Sequence, residues 1–118
     1  MIKNITKNKT IVTNHEICET FFSKLKGLMF SSRDAKNNHK NLVFVFNKEQ
    51  RIGLHMWFVW FSIDVILLDS NKKVVEIKEN FKPFRLFNSK EKAKYVLELN
   101  HGAVKDGSIE VNDVIKII

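Results

Sequence analysis

Hydrophobic and polar residues alternate in short runs along much of the chain, which is the spacing of β-strands with one covered face. The clearest run is residues 93–99, and residues 73–79 repeat the pattern with Val75 and Ile77 on the covered face. Residues 42–46 are apolar at every position, which predicts a central strand covered on both faces. The other predicted strands are two short ones within residues 2–17, then 53–60, 63–69, 109–111 and 114–118.

Polar residues with turn-forming side chains separate these runs. Residues 6–9, 69–72 and 112–113 are predicted as tight turns, and Asn112 tolerates the left-handed backbone conformation that such a turn requires. Three less regular connections are predicted at residues 31–41, 47–51 and 80–87, and residues 89–92 are predicted as a turn or a single helical turn. These turns are close together, which favours antiparallel neighbours.

Two short helices are predicted between the strands. Three apolar residues at the i, i+4, i+7 spacing predict a helix over residues 21–28. Residues 101–107 have room for a single helical turn, which Gly107 closes. Seven to eight short strands, one or two short helices and no alternating βαβ units predict a mainly β (β-rich α+β) fold. We expect a compact, mostly antiparallel barrel or sandwich.

The most apolar and aromatic stretch, residues 54–69, contains two polar residues. We interpret it as two strands that meet at a bend at Phe61 and Ser62, with His55 on the first strand and Asp64 on the second. If the two strands pair as a hairpin, Asp64 lies close to the bend and His55 lies several residues from it. Direct contact between the two side chains is therefore not guaranteed.

Composition limits the class of protein more than it identifies a function. With 118 residues, one proline and four glycines, residues 1–118 are predicted to form a single domain. The formal charge of +7 favours an anionic partner. An AT-rich genome would also increase the content of Lys together with that of Asn, Ile and Phe, whether or not anything anionic binds. The single cysteine, Cys18, fits a reducing compartment. Because we find no signal peptide and no membrane-spanning run, we expect a cytoplasmic protein without a membrane partner.

Several motifs resemble those of one known family, the domain of unknown function 192 family, also called uncharacterised protein family 0127. They follow one another in the family's order: Lys-Gly-Leu-Met-Phe at 26–30, Leu-Val-Phe-Val-Phe at 42–46, the run from His55 to Asp69, Val-Val-Glu-Ile at 74–77, Lys-Pro-Phe at 82–84, and Ala-Lys-Tyr-Val-Leu-Glu-Leu at 93–99 with Gly102.

This resemblance covers residues from about 20 to the C-terminus, and the form of residues 55–59 is similar to that of archaeal members. It implies a compact, β-rich single domain and no established activity. Two positions depart from the family pattern. Ser62 stands where the family usually has Pro, and Asn112-Asp113 stands for Gly-Asp.

His55, Trp57 and Asp64 form the most suggestive group for chemistry. A buried aspartate beside aromatic side chains needs a partner, because an unpaired buried carboxylate is costly. Asp64 therefore either accepts backbone N–H groups at the bend, which is the favoured interpretation, or lies at the mouth of an aromatic-lined cleft. The histidines, Cys18 and Asp64 show no paired metal-ligand spacing, and no glycine-rich phosphate loop is present. No metal or cofactor is predicted.

Three functions from different classes remain open. The favoured one is a small β-barrel binding module, without enzymatic activity, whose open end accepts a small ligand or a peptide. Its candidate ligand-binding residues are His55, Trp57, Trp60, Asp64, Phe84 and Arg85. The first alternative is a nucleic-acid-binding barrel that uses the lysine-rich surface. The second is a hydrolase-like enzyme that uses His55 and Asp64. We expect a monomer in each case.

Overall fold

The computed structural model describes most of the chain, and its described segments contain nine strands and one short helix. The described residues are 1–13, 16–19, 28–29, 41–55, 62–82 and 86–118, with the backbone alone for 16–19, 28–29, 54–55 and 86. The strands are β1 (Ile2–Asn4), β2 (Lys9–Val12), β3 (Glu16–Glu19), β4 (Leu28–Met29), β5 (Leu42–His55), β6 (Ile63–Leu68), β7 (Val74–Phe81), β8 (Leu86–Asn100) and β9 (Ile115–Ile117), and the helix α1 is Ala103–Asp106.

The strands form two sheets. The small sheet has the order β2-β1-β9 and is antiparallel throughout. The large sheet has the order β3-β5-β8-β6-β7, and β4 also pairs with β5. In this sheet the pairs β5–β8, β8–β6 and β6–β7 are antiparallel, whereas β3 and β4 run parallel to β5. The predicted mainly β, mostly antiparallel fold is confirmed.

Most elements predicted from local signals appear where the sequence placed them, but the strand predicted at residues 109–111 is wrong, because these residues form an irregular segment and a turn. β1 and β2 form the expected hairpin. The turn at residues 69–72 joins β6 to β7, with Lys72 at a positive φ of 60°. α1 is a single helical turn that ends at Gly107, and Asn112 has the expected positive φ of 80°. The predicted helix over residues 21–28 lies outside the described residues, except that Leu28 belongs to β4.

Predictions that depended on distant pairing are wrong in three places. Residues 47–51 are not a connection, because β5 continues through them with two register irregularities. Residues 89–92 are not a turn, because they lie within β8. The strands β5 and β6 do not form a hairpin, since β8 lies between them and pairs with both. Each error concerns a strand whose partner is distant in sequence.

The large sheet curls so strongly that β7 approaches the first half of β8. The Glu76 carboxylate on β7 accepts hydrogen bonds from the backbone N–H groups of Lys90 (2.8 Å) and Glu91 (2.9 Å) on β8. Inside the curl, the rings of Phe81 and Phe87 meet edge to face at a centroid distance of 6.0 Å. Among the described strands, β7 and β8 do not pair through their backbones. The sheet therefore stops short of a closed barrel, and the sandwich is the better description.

Two apolar clusters cover the two faces of the large sheet. One fills the curl and contains Phe46, Ile52, Val65 and Phe81. The other lies between the large sheet, the small sheet and α1. Its buried members are Ile2, Val43, Ile66, Leu68, Val74, Leu97, Leu99, Ala103, Val104, Ile109 and Ile115. Since both faces are covered there, β6 is buried at every position and β8 is buried throughout residues 96–99.

Candidate functional site

The structure separates the two polar residues of the apolar stretch. The backbone of His55 pairs with Leu86 at the start of β8, whereas Asp64 pairs with Leu99 near its end. His55 and Asp64 are therefore aligned with opposite ends of a strand of 15 residues. The other candidate residues, Trp57, Trp60, Phe84 and Arg85, lie outside the described part of the chain, so the aromatic-lined cleft stays a prediction.

Asp64 is completely buried, and its carboxylate joins three segments of the chain. Oδ1 accepts hydrogen bonds from the Asn80 N–H (2.9 Å) and from His101 Nδ1 (2.8 Å). Oδ2 accepts from the N–H groups of Gly102 (3.0 Å) and Val104 (3.1 Å). The N-cap residue of α1 is Gly102, which has no side chain, so Asp64 supplies the capping acceptor from β6. The predicted kind of role, acceptance of backbone N–H groups, is present at the start of α1.

His101 was not predicted as the partner of Asp64. Its side chain is 48% exposed, whereas that of Asp64 is 0% exposed. A carboxylate oxygen accepts hydrogen bonds, so we assign the hydrogen in this contact to Nδ1 of His101. A buried carboxylate that orients a half-exposed imidazole is suited to holding a general base. The two residues are 37 positions apart, and no sequence signal connects them.

A concave site lies beside the cluster between the two sheets. It has a volume of about 150 Å³, is open to solvent and is lined by Val43 and Val45 of β5, Tyr95 of β8, Ile117 of β9 and Lys72 of the β6–β7 turn. We name it the Tyr95 depression. Sequence reasoning missed it because its five residues come from four distant segments. The only available signal was that the alternation places Val43, Val45 and Tyr95 on one face of the predicted strands.

Lys72 reaches this site from a constrained position. Its φ of 60° is in the left-handed region, which is unfavourable for a residue with a long side chain. Its N–H donates to the carbonyl of Asp69 (3.0 Å), and its own carbonyl accepts from the N–H of Ile115 (2.9 Å). The ammonium of Lys72 lies 5.6 Å from the centroid of the Tyr95 ring. The turn thus fixes a cation at the rim of the depression.

A second cation lies beside the same ring. Lys94 Nζ is 5.9 Å from the Tyr95 centroid. Nearby, Ser70 donates to Glu49 Oε2 through both its N–H and its hydroxyl, at 2.7 Å each. These hydrogen bonds, together with the positive charges of Lys92 and Lys94, hold the pKa of the Glu49 carboxyl below its ordinary value. Glu49 therefore offsets part of the charge of Lys94.

The described residues contain neither a cluster of metal ligands nor a membrane-spanning helix. Within them, no three His, Cys, Asp or Glu side chains are grouped so that they could hold a metal ion. In the same part of the chain, no helix has the length and apolar character needed to cross a membrane.

Solved structures of similar proteins share the fold. A protein from Sinorhizobium meliloti 1021, described as a candidate transcription regulator, has a TM-score of 0.62 and 27% sequence identity, with 77% of this chain and 70% of that chain covered. A protein of unknown function from Novosphingobium aromaticivorans DSM 12444 has a TM-score of 0.65 and 21% identity. That match covers 86% of this chain and 72% of the other.

Sequence comparisons extend over nearly the whole chain. A protein from Thermococcus sibiricus, named UPF0127 protein, is 37% identical over 117 residues, which are 98% of this chain and 73% of the relative. A UPF0127 protein from Pyrococcus furiosus is 37% identical over 112 residues, which are 93% of this chain and 91% of that protein. The family model described as Uncharacterized ACR, domain of unknown function 192, matches residues 2–117, and so begins before the predicted residue 20. The chain belongs to the domain of unknown function 192 family.

Proposed function

We propose that this protein is a binding module that takes a small ligand with an apolar body into the Tyr95 depression. The observation that carries the proposal is the concave site itself, which has a volume of about 150 Å³, is open to solvent and is lined by residues of both sheets. Concave, mostly apolar sites with a few polar groups at the rim are the usual form of small-molecule sites. A volume of roughly 150 Å³ equals that of an engineered interior cavity that holds benzene, so a ligand of that size would fill the depression while one side of it stays in contact with solvent.

The position of the depression on the fold supports the proposal. Val43 is buried, and Val45, Tyr95 and Ile117 pack against the cluster between the sheets without being fully covered. Their exposed apolar area is the area that a ligand would remove from water, at about 25 cal/mol per Å². Val43 and Val45 lie on one long strand and Tyr95 on the strand paired with it, so the site is formed on rigid elements.

The proposal is tested by following the backbone amides of the isotope-labelled full chain by NMR while small neutral fragments such as benzyl alcohol are added. The expected result is a saturable change at Val45, Tyr95 and Ile117. A Val45→Trp variant fills the depression and removes the change. Val111→Trp is the matched control, since Val111 is 51% exposed and lies outside the depression. No saturable change at these amides in the unmodified chain would overturn the proposal.

A nucleic-acid-binding function is the second candidate, and one arrangement of charges favours it. Arg51 and Lys92 are both exposed and lie directly opposite each other in the register of β5 and β8. Like charges at such a position repel unless an anion lies between them. The Sinorhizobium meliloti protein described as a candidate transcription regulator points in the same direction.

This candidate predicts binding that weakens with salt. Fluorescence anisotropy with a mixed pool of single-stranded oligonucleotides should give an affinity that falls linearly on a logarithmic scale as salt rises. The double variant Arg51→Gln with Lys92→Gln should make that slope shallower by the amount that corresponds to about two lost phosphate contacts. Absence of binding at low salt removes the candidate, and the Tyr95 depression is not affected by that result.

The hydrolase-like alternative would have to use His101 in place of His55. Asp64 contacts His101, and the pairing with His55 that this alternative requires is not among the described contacts of Asp64. The carboxylate also accepts three backbone N–H groups, which is a sufficient structural reason for its presence. Binding at the Tyr95 depression therefore has the stronger support.

A further inference from the structure

The cations at the rim of the Tyr95 depression narrow the class of ligand. Lys72 and Lys94 both lie within 6 Å of the centroid of one half-buried ring, at 5.6 and 5.9 Å. Both positive charges therefore lie beside the same ring, and an anionic group bound at that ring would be attracted by both, which a neutral ligand would not be.

The two lysines differ in what balances their charge. Lys94 lies near the Glu49 carboxylate, whose pKa it helps to lower. For Lys72, the described residues provide no salt bridge and no hydrogen-bonded carboxylate. Of these two cations, only Lys72 lines the depression. Its backbone is also fixed at both sides, so less entropy is lost when it binds a ligand.

We infer that the ligand is a small carboxylate with an apolar body about the size of a benzene ring. The inference rests on the proposed function, because it assigns the chemistry of the same site. The carboxylate accepts hydrogen bonds from Lys72 Nζ, with Lys94 adding a second positive charge. The apolar body lies on Tyr95 and Ile117. Its size follows from the volume of the depression, about 150 Å³.

Three probes separate shape from charge. Sodium benzoate has both the apolar body and the carboxylate, benzyl alcohol has the body without the charge, and inorganic phosphate has the charge without the body. Each is titrated into the labelled full chain, and the amides of Lys72, Tyr95 and Ile117 are followed by NMR. We expect benzoate to bind about 10-fold more tightly than benzyl alcohol, the effect of one charge-assisted contact of about 1.4 kcal/mol. Phosphate should not cause a saturable change at these amides.

A matched pair of variants tests the role of Lys72. Lys72→Met keeps the aliphatic part of the side chain and removes the charge, so it should lower benzoate affinity about 10-fold and leave benzyl alcohol affinity unchanged. Lys73→Met is the control, because Lys73 is exposed and does not line the depression. It removes the same net charge and should leave both affinities unchanged. A loss that is equal in the two variants would show long-range attraction only and would overturn the inference.

The remaining outcomes distinguish this inference from the proposed function. If benzoate and benzyl alcohol bind equally at the depression, the ligand class is wrong and the binding module stands. If phosphate binds at these amides as well as benzoate does, charge alone is recognised and the inference fails. If neither benzoate nor benzyl alcohol causes a saturable change there, the proposed function fails and the ligand class fails with it.

Discussion

At the scale of single residues, buried polar side chains connect segments that are distant along the chain. Asp64 joins β6 to Asn80 and to the start of α1. Asp113 does the same between the two ends of the chain. Its Oδ2 accepts from Asn4 Nδ2 (2.9 Å), Lys7 Nζ (3.0 Å) and the Glu110 N–H (3.0 Å). Both carboxylates are buried with several donors, so removal of either would leave buried N–H groups without their acceptor, which is costly.

The first prediction concerns Asp64. In Asp64→Asn, an NH2 group replaces one carboxylate oxygen, so the two groups that donate to that oxygen would face a donor in place of an acceptor. We expect a loss of roughly 2–4 kcal/mol in the free energy of unfolding, measured by urea denaturation. His101→Ala removes one of the four donors and should cost about 1 kcal/mol. Equal losses in the two variants would show that the contact with His101, and not the capping of α1, accounts for the role of Asp64.

The second prediction is a pH dependence at Asp113. Burial acts to raise the pKa of its carboxyl, but the hydrogen bonds from Asn4, Lys7 and Glu110 outweigh it, so the pKa lies below the ordinary value of 3.8. The stabilisation is therefore complete above pH 3.8 and is lost as the pH falls through the lower pKa of the folded protein.

The measurement is urea denaturation of the unmodified chain and of Asp113→Asn at a series of pH values. The variant should be less stable at neutral pH, and the difference should shrink as the pH falls below 3.8. Asp106→Asn is the control, because Asp106 is exposed. A difference that stays constant down to the lowest pH would contradict the assigned pKa direction.

At the scale of elements, local signals were sufficient where neighbours in sequence pair with each other. The β1–β2 hairpin, the turn at 69–72, the single turn of α1 and the turn at Asn112 depend on a few adjacent residues each. The long strands β5 and β8 depend on each other instead. The polar residues 89–92 were predicted as a turn because their strand conformation is stabilised from outside, by hydrogen bonds to Glu76 and between Ser89 and Ile52.

The candidate site was harder to predict than the fold. Asp64 was recognised as a buried group that needs partners, because charge burial has a cost at any location. The contact of Asp64 with its partner His101 depends on the pairing of β8 with β6, and the Tyr95 depression depends on the pairing of β8 with β5. Neither pairing follows from residues that are close in sequence. Alternation fixes the face on which a residue lies, and it contains no information on which strand is adjacent.

The third prediction concerns the start of α1. Gly102 has a φ of +105°, and apart from its chain neighbours no atom of the described residues lies within 4 Å of an added Cβ. Gly102→Ala should therefore cost about 1–2 kcal/mol through backbone strain alone. Gly107→Ala should also be destabilising, but through a steric clash, because its Cβ would lie 2.8 Å from Cγ1 of Ile11. Urea denaturation of both variants, each with and without Ile11→Ala, separates the causes. Trimming Ile11 should relieve part of the Gly107→Ala loss and none of the Gly102→Ala loss.

At the scale of the whole molecule, the large sheet encloses its own apolar cluster without closing into a barrel. The small sheet and α1 cover the other face, and the β6–β7 turn ties the two sheets through backbone hydrogen bonds from Val74 to Asp113 (2.8 Å) and from Ile115 to Lys72 (2.9 Å). The same turn presents Lys72 to the Tyr95 depression. The joint between the sheets and the rim of the proposed site are thus one structural feature.

The last prediction tests the seam of the curled sheet, where Glu76 bridges β7 and β8. In Glu76→Ala, the N–H groups of Lys90 and Glu91 lose their carboxylate acceptor, so the seam should open locally while the clusters on both faces stay packed. Hydrogen exchange followed by NMR should show these two amides exchanging at least about 10-fold faster, which corresponds to ~1.4 kcal/mol of local opening. Glu79→Ala on the same strand is the control, since Glu79 is exposed, and its protection pattern should match the unmodified chain.

Unchanged exchange at Lys90 and Glu91 would mean that the curl is maintained by the Phe81–Phe87 contact and the core around it, without help from Glu76. Faster exchange over the whole of β8 would instead make the bridge a condition for folding of the large sheet.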